Sequence, residues 1–322
     1  MRQTQLGPYD NVSRLTLGAA GLGNVWGETT EEEAVETLQL ALDAGINLID
    51  TAPSYGNCEA LLGRYFNGSL PKGVRITTKC QLGNPDRGTA GGILTASVEA
   101  SLKAMKLDCF DVFFLHSFIS ADGADFPFDA ARVKQFVTPW SQYTEEVIPA
   151  FEDLKRRGLI KAWAITGTGV PTTILKALNH GSRPAIIQAI TNLMDSPGSL
   201  KAYAEPANPR TTIAEAVSKS VGVMGIRAVQ AGALTEAIDR PMKDTHPEMK
   251  DFVRAAAFRD LCKTHGLSVA ATAHRYALSM AGVDTVVLGV KNRSELIECI
   301  EAETAGPLPT ELMNKIDALG LS

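Results

Sequence analysis

The chain has 322 residues, 45% of them hydrophobic, with a formal net charge of −5; that hydrophobic share supports a sizeable core, while the acidic balance argues against general nucleic-acid binding, which wants a basic patch. No apolar run of about 18 residues occurs, so no membrane span is expected, and the opening MRQTQLGPYD lacks the apolar stretch of a secretory signal. Five scattered cysteines without a CxxC pair fit a reducing, cytoplasmic setting and no metal site.

Residues 2–18 hold two short strand-like pieces split by 7–11, the pattern of a hairpin. They lead into a glycine-rich bend, 18–23, which reads either as a tight turn only or as a place where backbone can approach a ligand, with Gly21 as a candidate contact. Thr30 followed by Glu33 forms a capping box; Val35, Leu38 and Leu42 share a helical face, and Gly45 ends the helix. The run 46–49 is short, apolar and β-branched at both ends, so it reads as a buried strand. Asp50 stands at its carboxyl end and Tyr55 follows past Pro53 and Ser54. A helix at 58–66 precedes a second such strand, 74–78, which ends in Lys79. Leu94, Val98, Leu102 and Met105 mark the next helix, and the strand 110–115 ends in His116.

Residues 117–142 are long for a loop and carry Phe118, Phe126, Phe128, Phe136 and Trp140. They read either as a pocket wall or as a loop pinned by its own aromatics. Regular alternation then resumes. Strands are expected at 160–165, 185–188, 221–226 and 284–288. Helices are expected up to Gly158 and at 171–179, 211–220, 251–265, 268–280, 294–304 and 309–319. Eight βα units without an internal boundary predict an α/β fold, one (β/α)8 barrel domain of parallel strands over 1–322 behind an N-terminal β-hairpin. The bend GAAGLG has the glycine spacing of a dinucleotide-binding turn, but no helix starts there, which disfavours an open Rossmann sheet.

In such a barrel Asp50, Tyr55, Lys79 and His116 occupy corresponding strand-to-helix positions and converge on one mouth. Singly, each has a plain reading: a helix cap, a loop wall, a solvated lysine, a core histidine. Together they compose general acid–base chemistry at a carbonyl. A phenol delivers the proton, an ammonium lowers its pKa, a carboxylate holds the ammonium, and an imidazole orients the oxygen.

NLIDTAPSYG, ITTKC and FFLHS resemble the signature segments of the aldo-keto reductase family, and the resemblance runs from about residue 14 to 304. It implies a barrel that binds a nicotinamide cofactor without a Rossmann domain. It also implies hydride transfer to or from an aldehyde, ketone, alcohol or sugar, with Asp50, Tyr55, Lys79 and His116 as the catalytic set. By the same resemblance, Thr166 and Gln188 hold the nicotinamide amide, while Gly167 stands where relatives carry an Asn. Ile226 or Arg227 stands where relatives stack a Tyr, and Arg227 is offered to the pyrophosphate. Gly232 and Leu234 resemble the loop over that pyrophosphate. LGVKNRSELIEC resembles the adenosine-phosphate site: Gly289, Lys291 and Asn292 match, and Cys299 replaces an Asn. Lys291 and Arg293 favour a 2′-phosphate, whereas Glu295 repels one or binds a free ribose hydroxyl. The balance leans to NADP, with NAD as the alternative.

Trp26 and Trp140 are expected to line the substrate pocket with Tyr55 and His116, suiting a flat aldehyde or a sugar. The long C-terminal specificity loop of steroid-type relatives is expected to be absent. Two other functions compete. A Schiff-base lyase would use Lys79, but needs a lowered lysine pKa that Asp50 opposes. A non-catalytic, cofactor-sensing subunit is opposed by the complete set of four.

Overall fold

In the computed structural model, which describes residues 1–322, β1 (Gln3–Leu6) and β2 (Tyr9–Ser13) form an antiparallel hairpin. Eight parallel strands then close a barrel in chain order: β3 (Leu15–Gly18), β4 (Leu48–Asp50), β5 (Arg75–Cys80), β6 (Phe110–Leu115), and, after an excursion, four more. The excursion contains β7 (Phe118–Ser120) and β8 (Val137–Pro139), which pair with each other alone. The last four are β9 (Ile160–Thr166), β10 (Ile186–Ile190), β11 (Gly222–Ile226) and β12 (Thr285–Leu288), and β12 pairs with β3.

Alternation along the strands sorts the core. Leu48, Val112, Phe114, Ala164, Ile186 and Met224 cluster with Leu6 and Val12 of the hairpin. Gly222, which opens β11, lies against Gly7 of the hairpin turn. The hairpin therefore plugs the amino-terminal end of the barrel, and the carboxyl ends of the strands remain for the site. Intervening strand residues such as Ile49, Ile76, Phe113, Leu115 and Trp163 join the larger core beneath the helices. Phe113 and Phe114 are both fully buried; truncating such a ring to alanine costs about 3–5 kcal/mol.

Three local expectations are corrected. Residues 117–142 are no plain loop: besides β7 and β8 they form the helix Ala130–Phe136, capped by Asp129 Oδ1 accepting from Arg132 N at 2.9 Å. The helix expected to culminate at Gly158 already starts at Trp140 and passes through a π turn, Tyr143–Val147, before Ile148–Arg156. The capping box at Thr30 is half made. Thr30 Oγ1 accepts from Glu33 N at 3.1 Å, but the Glu33 carboxylate turns to Arg293 instead of back to the cap.

Candidate active site

Asp50 ends β4 and stands in register with Thr77 of β5. Lys79 lies two residues beyond Thr77, so the pleat sends both side chains the same way. Lys79 Nζ donates to Asp50 Oδ2 at 2.6 Å and to the Thr51 carbonyl at 2.9 Å, and Thr77 Oγ1 donates to Asp50 Oδ1 at 2.7 Å. From across the barrel, Gln188 Nε2 donates to the same Oδ1 at 3.0 Å. Lys79 is fully buried and Asp50 nearly so; a buried charge pair persists only when its remaining sites are hydrogen-bonded, as here. Burial pulls the Lys79 pKa down, but Asp50 and then Tyr55 more than reverse this, and the net direction is up.

The Tyr55 ring centroid lies 4.7 Å from Lys79 Nζ and 6.1 Å from the His116 ring, which meets it edge-on. Desolvation raises the Tyr55 pKa by more than Lys79 lowers it. The expectation of a net acidified phenol is thus corrected: the ammonium acts in the expected direction, and burial outweighs it. Burial, helped by the charge on Lys79, pushes His116 down to about 3. The imidazole is therefore neutral at ordinary pH.

Backbone contact fixes the Tyr55 turn. A Cβ on Gly23 would overlap the Tyr55 carbonyl oxygen, and one on Gly56, at φ 59°, would overlap the Gly23 carbonyl oxygen. The Cys58 thiol donates to the Ala19 carbonyl at 3.1 Å. On the other side, Gly18 and Gly21 lie as closely on the Leu288 and Val290 carbonyls. The bend is a spacer between the end of β12 and the Tyr55 turn, and Gly21 spends its missing side chain on Val290.

Around the mouth, Gln188 must turn its NH2 to Asp50, because a carboxylate only accepts. Its carbonyl oxygen then has no partner in the chain. Thr166 Oγ1 donates to the Leu115 carbonyl at 3.3 Å and accepts from Thr168 at 3.4 Å. Gly167 has no room for the missing Asn: a Cβ there would stand 2.6 Å from the backbone carbonyl oxygen of Gln188. A free amide acceptor and a hydroxyl fit a nicotinamide amide, with one contact fewer than the resemblance implies. Ser117 Oγ accepts from Leu82 N and Gly83 N at 3.2 and 2.9 Å, tying two rim loops together.

The other expected residues are more dispersed. Arg227, at φ 62°, gives Nη2 to Glu248, in the helix Pro247–Arg254, at 2.5 Å and Nε to Gln230 at 2.9 Å, so its guanidinium is committed within the chain. Gly232, at φ 94°, closes the short turn Gln230–Gly232, and Leu234 beyond it is fully buried. Trp26 stands beside Gly289, with Arg240 5.6 Å from its ring; this places it among the candidate cofactor loops. Trp140 packs against Lys176, whose Nζ is 4.0 Å from the ring centroid, and against Tyr143 and His180. It belongs to the helical layer, because its helix begins with it, and makes no ring contact with Tyr55 or His116. Lys291 pairs with Asp239 and Glu295, and Arg293 with Glu33 and Glu36. Sequence reasoning missed Thr77 as a partner of Asp50. The one available signal was its place two residues before Lys79 on a strand.

The family model described as the Aldo/keto reductase family matches residues 14–320. An L-galactose dehydrogenase of Arabidopsis thaliana is 26% identical over 96% of this chain and 90% of its own length. A D-threo-aldose 1-dehydrogenase of a Pseudomonas species is 25% identical over 90% and 89%. Among solved structures, the holo form of an aldo-keto reductase from Bacillus halodurans superposes with a TM-score of 0.73 at 22% identity, covering 99% of this chain and 96% of that one.

Proposed function

The chain belongs to the aldo/keto reductase family, and from that premise we propose that it is a nicotinamide-dependent sugar dehydrogenase in which Tyr55 handles the proton that accompanies hydride transfer at an aldose C1. It is an oxidoreductase acting on carbonyl or alcohol groups. The choice of an aldose rests on the two sugar dehydrogenases that match it along most of their length.

The observation that supports the proton-transfer role is the buried Asp50 carboxylate, which accepts from Thr77, Gln188 and Lys79 at once, with the Lys79 ammonium beside Tyr55. Aldo-keto reductases use nicotinamide cofactors, and a bound nicotinamide supplies the site that takes or gives the hydride. Gln188 and Thr166 would hold its amide. In oxidation of a cyclic aldose, the C1 hydroxyl gives its proton to the Tyr55 oxygen while the C1–H bond breaks, and the sugar leaves as the lactone. Lys79 stabilises the phenolate that must exist beforehand. Asp50 keeps Lys79 charged and in place. Neutral His116 hydrogen-bonds the reacting oxygen and orients it. Run in reverse, Tyr55 protonates the alkoxide formed from an aldehyde. The raised Lys79 pKa removes support from the Schiff-base alternative, which needs a neutral amine.

The test is a panel of free aldoses, aromatic aldehydes and small ketones with oxidised and reduced forms of both cofactors. Oxidation of at least one aldose is expected. Turnover confined to non-sugar carbonyls would remove the aldose assignment, and no turnover across the panel would remove the reading itself.

A further inference from the structure

The chain holds four carboxylates around Lys291 and Arg293, the two cations that the family resemblance offers to a 2′-phosphate. Lys291 Nζ pairs with Asp239 and lies 3.3 Å from Glu295 Oε1. Glu295 is itself fixed: its other oxygen accepts from Lys291 N at 2.8 Å, and its own N donates to Asn292 Oδ1 at 2.9 Å. Arg293 is engaged from the opposite direction. Its Nη2 lies 2.9 Å from Glu33 Oε2, its Nη1 2.6 Å from Glu36 Oε2, and its backbone N donates to Glu33 Oε1 at 2.8 Å. Arg240 brings a third cation 3.5 Å from Asp239, but it is bonded to the Ala231 carbonyl and lies over Trp26. Even with Arg240, carboxylates outnumber cations.

We infer that this arrangement selects NAD over NADP, with Asp239 and Glu295, backed by Glu33 and Glu36, as the specificity-determining residues. The inference rests on the nicotinamide reading given above and revises the sequence expectation of NADP. A 2′-phosphate brings close to two negative charges into a cluster that is already net acidic. To gain Lys291 or Arg293 it must separate a made ion pair and leave a carboxylate facing the phosphate. A 2′-hydroxyl imposes neither cost, and as a donor it meets carboxylate acceptors. Exposed ion pairs are individually weak, so selection comes from the net sign of the cluster. The pKa directions agree with pairs that stay ionised: Asp239 and Glu33 are held low, Lys291 and Arg293 high.

The experiment is fluorescence titration of the full chain with NADH and NADPH at low and high salt, repeated on Glu295→Gln and Asp239→Asn. NADH is expected to bind tighter by about tenfold or more, the scale of one uncompensated surface charge contact. The gap should narrow as salt screens the cluster. Each variant should improve NADPH binding relative to NADH; two variants on different segments, a loop and a helix, guard against one that misfolds. NADPH binding to the parent as tightly as NADH, or a ratio unchanged in both variants, overturns the inference and leaves the nicotinamide reading standing. Binding of neither nucleotide by the parent overturns both.

Discussion

Asp50 accepts from Lys79, Thr77 and Gln188 at once, and only the first was legible in the sequence. The four chemistry-bearing residues announced themselves because Asp50, Lys79 and His116 each end a strand-like run and Tyr55 follows Asp50 in the loop beyond it. Their mutual pKa balance did not, since desolvation of Tyr55 belongs to tertiary burial and not to local pattern. The partners of Arg293 were equally hidden: Glu33 lies 260 positions away along the chain. Three outcomes follow at this scale. Because the Tyr55 pKa is raised from the ordinary value of about 10, reduction, which needs the protonated phenol, should stay flat through neutral pH and fall only in strong alkali. Oxidation, which needs the phenolate, should rise with pH across the same range; a plateau near neutrality in the oxidation profile would contradict this. His116, pushed down to about 3, should add no limb between pH 5 and 8. Gln188→Met should raise the cofactor KM about tenfold, the worth of one hydrogen bond in a dry site. 3-Acetylpyridine adenine dinucleotide, which lacks the amide NH2, should lose binding to the parent but not further to the variant. An equal loss in both proteins would show that Gln188 does not receive that amide.

The glycine bend shows how an element can be recognised while its neighbours stay hidden. Its composition pointed to close backbone approach, and the approach is real, but the neighbours are the Tyr55 turn and the end of β12. Nothing in a run of glycines says which backbone will arrive. The same holds for the excursion between β6 and β9. Its aromatics were visible, while the parallel pairing of β7 with β8 depends on two segments separated by a helix. Gly23→Ala must push the Tyr55 carbonyl aside. Its kcat should fall about 10²-fold, the cost of displacing a reacting group by roughly 1 Å, with cofactor affinity retained. A variant that loses cofactor binding and kcat in equal measure would instead place the bend's role at the nucleotide.

At the scale of the molecule, the alternation of strand and helix patterns was enough to anticipate a closed barrel, because eight such units have few other ways to bury both faces of their strands. The hairpin plug through Leu6 and Val12 was not visible, as a short hairpin carries no mark of what it covers. Global stability has a pH dependence of its own. His274 is buried without a partner for Nδ1, and burial pushes its pKa down to about 4. Between pH of about 6.5 and about 4, the unfolded chain takes up a proton there that the folded chain excludes. Stability therefore falls as pH falls, by about 3 kcal/mol through this group at the lower limit. Urea unfolding at both ends of that window should show the loss, and His274→Leu should lessen it; an identical pH slope in the variant would exclude His274 as the source.

The central claim is that Tyr55, served by Lys79, moves the proton in a hydride-transfer reaction. It is tested most directly by comparing aldose-dependent formation of reduced nicotinamide in the parent and in Tyr55→Phe, with cofactor binding measured in both. The account predicts that the substitution lowers turnover by at least about 10²-fold while the cofactor still binds. Turnover by the variant within a few-fold of the parent would contradict it.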